Sequence, residues 1–180
     1  MLDKLCCSPE FLIATGRSIN KERMKDQYVV LRAIAFLMLH RGEFKDIPAL
    51  QYRGDIDDFL ARFMVYVNDN APEKLIVDYE NLFIRCMQIS YDLLGENGFR
   101  FSGNGIRRPI NMPLFEALSY LFSFVPEKID YTWASRLILD IESVKEEFDD
   151  SRYFSGNIDS TTSVSFRFDR MDKIIIRIQL

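Results

Sequence analysis

The chain has 180 residues, 48% hydrophobic and 28% charged, with fifteen Phe, eight Tyr and a formal net charge of −4. That length suffices for one domain burying roughly 70% of its unfolded surface, and the aromatic content fits a packed core rather than a disordered tail. The acidic balance excludes a protein that coats nucleic acid through bulk charge, though not one with a local basic patch.

Three cysteines, two of them adjacent at Cys6 and Cys7, make no disulfide framework. Reduced thiols in a cytoplasm are the simplest expectation. No apolar run reaches the ~18–20 residues of a membrane span, and the N-terminus lacks the order of a signal peptide. A cytoplasmic protein with no membrane partner is expected.

Met1 to Cys7 is short and amphipathic. Ser8-Pro9-Glu10 opens a helix, with a capping hydroxyl followed by a proline where no amide donor is needed. Phe11, Leu12 and Ile13 follow, and Gly16 ends the segment. A basic connector, Arg17 to Arg23, leads into Met24–His40, the segment around which the rest is organised. Met24, Tyr28, Leu31, Ile34, Ala35, Met38 and Leu39 keep a helical period. Val30, Phe36 and Leu37 widen the apolar face until neighbours must surround it, and Asp26 suits the N-terminal dipole. Arg32 is the single cation inside the apolar run. Burying it unpaired would cost several kcal/mol, so an acidic or carbonyl partner is expected.

Gly42 ends the central helix, and Phe44 to Arg53 is loop. Asp55, Asp57 and Asp58 start a helix with Phe59, Leu60, Phe63, Met64 and Val67 on its inner face. Pro72 starts a long helix to Leu94, with Leu75, Ile76, Tyr79, Leu82, Phe83, Cys86, Met87 and Tyr91 inward. Gly95 to Pro113 holds four of the eight glycines together with Arg100, Arg107 and Arg108, and is too long for an ordinary helix connection. Asn111 caps a helix over Met112–Val125, and Asp130 starts another over Tyr131 to about Phe148. Residues 151–162 read as a polar linker. Ile174-Ile175-Ile176 favours a strand by propensity, but Val164, Phe168, Met171, Ile174, Ile175 and Ile178 keep a helical period, so 163–179 is assigned as helix. The fold expected is all-α: one irregular bundle of about six or seven helices around a buried central one.

Chemistry is harder to place. The lone histidine, His40, removes Cys/His zinc sites and two-histidine acid–base schemes. Its plain reading is a polar residue ending the central helix. The sharper one, an all-α HEPN-type ribonuclease using Arg32 and His40, needs a shorter spacing than the eight residues found, which rotates the pair by roughly 80°. Asp55, Asp57 and Asp58 are ordinary helix-start acids rather than a Mg²⁺ site. Asp140, Glu142 and Lys145 have the wrong spacing for the acid–acid–lysine set of metal-dependent nucleases. No metal, cofactor or catalytic residue is assigned. The loop arginines Arg100, Arg107 and Arg108 remain as nucleic-acid-binding candidates, because guanidinium forks suit phosphate and the flanking Phe99 and Phe101 suit bases. The plainer alternative is that the two rings anchor the loop while the arginines pair with acidic neighbours. Arg32 and Asn111 are assigned to a structural polar centre.

The order of motifs resembles a known family. Met-Lys-Asp-Gln-x-x-Val-Leu-Arg at Met24–Arg32 is followed by Tyr52-Arg53-Gly54 and Asp58-Phe59-Leu60. Gly98-Phe99-Arg100 and Asn111 with Leu114-Phe115-Glu116-Ala117-Leu118 come next. This is similar to the helical region behind the ParB-like domain of GmrSD-type restriction proteins. The resemblance covers about Leu2 to Arg177 and implies a role in phage defence beside a ParB-like nuclease that often cuts modified DNA. The chain lacks that domain's Asp-Gly-Gln-Gln-Arg signature and the HNH histidines. The expectation is therefore a non-catalytic helical module, either an excised piece, a truncated relative or half of a split system, with a ParB-like chain and DNA as partners. The alternative is a protein-interaction subunit without a nucleic-acid role.

Overall fold

A computed structural model describes residues 1–103, 106–150 and 157–179. Eight α-helices occur among them, and no strand does. They are α1 (Leu2–Cys6), α2 (Pro9–Ala14), α3 (Lys25–His40), α4 (Ile56–Asp69), α5 (Glu73–Leu94), α6 (Met112–Phe122), α7 (Tyr131–Asp149) and α8 (Thr161–Gln179). The helix beyond the expected seven is α1, a short amphipathic turn. No helix of the described residues is long and apolar enough to cross a membrane. Half of the expected linker, residues 151–156, lies outside the described residues, and its last two residues, Thr161 and Thr162, belong to α8.

Side-chain caps set at least four of the eight helix starts. Ser8, Asp55, Asn111 and Asp130 each accept a hydrogen bond from the backbone N–H three residues on, which satisfies one of the donors a helix start leaves open. The central helix begins differently. Arg23 and Met24 both take left-handed φ values of +56°, so Met24 lies outside the helix and is 62% exposed. It does not belong to the apolar stripe in which the helical period would place it.

From Val29 to Met38 every residue of α3 is buried, as a helix apolar on nearly all sides requires. It packs on α6 above all, and also on α1, α4 and α5. Helix α6 in turn carries α8. Rings fill the spaces between: Phe36 of α3 meets Tyr52, Phe59 and Phe168, and Phe115 of α6 meets Phe11, Phe83 and Phe99. Helix α8 settles the ambiguous C-terminal stretch. It buries Val164, Phe168, Met171, Ile174 and Ile175 while Ile176 is exposed, a 3.6-residue pattern rather than alternation. Two inward assignments fail. Met64 and Tyr91 are 41% and 40% exposed, because the helical stripes of α4 and α5 are narrower than the runs of apolar letters that mark them.

Candidate functional site

Four charged side chains meet where α3, α6 and α8 converge. Arg32 donates from Nε to Glu116 Oε1 at 2.5 Å and from Nη2 to Asp159 Oδ1 at 2.6 Å. The second Glu116 oxygen accepts from Arg167 Nη2 at 3.1 Å. Arg167 also donates to the carbonyl of Ile158. Tyr28 accepts a longer bond from Arg32, and the Tyr52 hydroxyl donates to the Asp159 carbonyl. Two cations and two carboxylates balance the charge, in a setting where Glu116 and Arg167 are completely buried.

Each group answers to that burial. Desolvation works against the charge on Arg32, yet the Glu116 and Asp159 carboxylates outweigh it and hold the guanidinium above its ordinary range. Burial pushes the Glu116 carboxyl up, with the two guanidiniums opposing. Burial also draws Arg167 down, against the pull of Glu116. Burial, then the Asp159 charge, pushes the Tyr52 hydroxyl up to about 12. The expected partner of Arg32 is thus present twice over. The sequence reading did not name Glu116, Arg167 or Asp159 as site residues. Glu116 carries the same signal as Arg32, a lone charge inside an apolar helical run that must find a counter-charge when buried, whereas Arg167 is followed closely by Asp169, Arg170, Asp172 and Lys173 and does not stand out.

The loop between α5 and α6 divides its three arginines. Arg100 is only 4% exposed. Its guanidinium donates to the carbonyls of Glu96 at 3.2 Å, Thr15 at 3.1 Å and Arg108, and to the Ser18 hydroxyl. It fastens the loop to the end of α2, so the expectation that it contacts phosphate directly is corrected: its donors are spent inside. Phe99 and Phe101 are buried as well, which makes them anchors rather than stacking platforms. Arg107 and Arg108 remain on the surface, paired with Glu96 at 2.8 Å and with Asp149. Arg108 also lies over the Phe101 ring, 5.3 Å from its centre. Asn111 closes the loop. Its N–H donates to the Phe99 carbonyl while its side chain caps α6, the helix that carries Glu116.

The remaining candidates have structural partners. His40 stacks on Phe168 with ring centres 3.5 Å apart, and burial, then the Arg167 charge, pulls its imidazole down to about 3. Arg32 faces Glu116 and Asp159, and no hydrogen bond among the described residues joins it to His40. Asp55 caps α4, and Asp58 pairs with Arg62 at 2.7 Å. Asp140 pairs with Arg177 and Glu142 with Lys145. Among the described residues no group of three or more His, Cys, Asp or Glu is placed to hold a metal ion. Cys6 and Cys86 are buried thiols. Burial, then the Asp26 charge, pushes Cys6 up to about 11, and burial pushes Cys86 up to about 12.

These features define an all-α domain tied through its centre by an ion cluster, with a cationic loop beside it. Comparison with protein-family models, curated proteins and solved structures finds no match for the chain.

Proposed function

We propose that the chain is the helical framework module of a GmrSD-like, modification-dependent restriction protein, supporting a ParB-like nuclease partner and offering loop cations to DNA. The observation that carries this reading is the destination of the motif residues. Arg32, Tyr52 and Glu116 come from three separate motifs and enter one internal network. Gly98-Phe99-Arg100 and Asn111 lock the two ends of the loop. Residues committed in this way hold an architecture together, which is what a framework module needs. Arg107 and Arg108 are the cations left to face DNA.

Co-expression with a ParB-like nuclease chain of this defence class tests the reading. Co-elution in size-exclusion chromatography is expected. Separate elution together with no DNA binding would overturn it in favour of an interaction subunit with no nucleic-acid role. A specific feature favours that second reading: an apolar groove of about 540 Å³ lined by Ile47, Leu50, Val65 and Tyr66, with Val65 57% exposed.

A further inference from the structure

The loop between α5 and α6 and one face of α7 border a cavity of about 610 Å³, within the size range of small-molecule sites. Arg100, Arg107, Arg108 and Lys145 line it, with Glu96 and Glu142. A second cavity of about 370 Å³ shares the same three arginines on its own wall.

Pairing the charges leaves one over. Arg107 has Glu96, Arg108 has Asp149 and Lys145 has Glu142 at 2.9 Å. Arg100 has no carboxylate partner among the described residues; three carbonyls and a hydroxyl receive its donors. Carbonyl dipoles satisfy its hydrogen bonds without cancelling its charge. Burial, then the neighbouring Arg107 charge, holds Arg100 below the usual guanidinium range, with the Glu96 charge, already paired to Arg107, opposing. Arg100 and Lys145 are each 4% exposed and form the inner wall. Arg107 and Arg108 are 45% and 39% exposed and stand at the rim, in surface ion pairs that are worth little and are readily exchanged.

We propose that this cavity binds a terminal phosphate monoester, carried either by a free mononucleotide or by the 5′ end of a nucleic-acid strand. Arg107 and Arg108 are the contacting forks, and Arg100 and Lys145 supply the field behind them. A monoester brings between one and two negative charges and three acceptor oxygens, which suits two forks over an uncompensated cation. An internal diester brings a single charge and runs on past the site in both directions, so a pocket with its cations on the inner wall favours an end. The inference rests on reading this loop as a phosphate-contacting element, and it specifies the kind of phosphate.

Calorimetric titration of the full chain at low ionic strength tests it, with AMP against adenosine and a short oligonucleotide in 5′-phosphorylated and 5′-hydroxyl forms. AMP is expected to bind where adenosine does not. Arg107→Gln and Arg108→Gln are each expected to weaken AMP roughly tenfold, the size of one lost charged hydrogen bond. Both positions are exposed, so these variants fold even if Lys145→Met, which should weaken AMP similarly, does not. Equal affinity for AMP and the phosphorylated oligonucleotide identifies the free nucleotide as the source; tighter binding of the oligonucleotide identifies the strand end. If neither phosphorylated probe binds better than its unphosphorylated counterpart while duplex DNA still binds, the pocket is overturned and the loop's DNA contact stands. Loss of both overturns both. AMP affinity unchanged in the two arginine variants also overturns the assignment.

Discussion

Arg32 and Glu116 sit at the centre of α3 and α6, where neither water nor a flexible neighbour can replace a lost partner. A buried ion pair is a poor source of net stability but a costly thing to break, since one half is left charged and dry. Glu116→Gln leaves Arg32 with Asp159 alone and removes the carboxylate from Arg167. Arg32→Met leaves Glu116 with Arg167 alone. Each is expected to cost about 3–5 kcal/mol in urea unfolding. Joint replacement of Arg32, Glu116 and Arg167 by apolar residues of similar volume should cost much less than the two single losses added together. Single losses no larger than those of a surface substitution, about 0.5 kcal/mol, would count against a coupled cluster. His40 makes a separate prediction. Its folded-state pKa is lowered from 6.5 to about 3, so the unfolded chain binds the extra proton between those values. Stability is therefore expected to fall as pH drops through 6.5 and to level off below about 3, and His40→Phe should flatten that part of a pH–stability curve. A wild-type curve that is no steeper than the variant's would show that the imidazole is not held neutral.

At the scale of elements, the loop between α5 and α6 is held at both ends, and its far end depends on Asn111. Asn111→Ala removes the side-chain acceptor for Leu114 N–H and should cost about 1 kcal/mol. Asn111→Asp should keep most of it, and equal losses in thermal unfolding for the two variants would mean that the cap is not the cause. The near end depends on Gly16. It has a φ of +58°, and an added Cβ would lie 1.9 Å from Arg107 Nη2. Gly16→Ala is thus expected both to strain the end of α2 and to push Arg107 off Glu96. The helices themselves were readable because their signals are local. Ser8, Asp55, Asn111 and Asp130 cap the helices they appear to start, and Arg32 announces its need for a partner by being the one charge in an apolar run. What could not be read was which partner. Asp159 lies 127 residues from Arg32, and nothing near it in sequence marks it. Arg100 misled for a related reason. Phe-Arg-Phe reads as alternating ring and cation on a surface, but both rings are buried, and they carry the arginine in with them.

For the molecule as a whole, charge sets the terms of the proposed contact with DNA. The chain carries −4 in total, so long-range attraction does not hold a duplex against it, and contact depends on a few local cations. Arg107 and Arg108 have exposed guanidiniums, whereas Arg100 has its donors committed to the end of α2 and to the loop itself. Two phosphate contacts rather than three should release about two counterions, giving a slope of log K against log salt near −1.8 for duplex DNA. Removing either surface arginine should lower its magnitude by about one, and removing both should abolish binding. Arg100 supplies the control. Arg100→Gln removes both the charge and the fork that ties the loop to α2, so it should weaken the fold while leaving the salt slope of the folded fraction in place. A slope that drops by a full unit in that variant would place Arg100 on the DNA and return the third arginine to the interface.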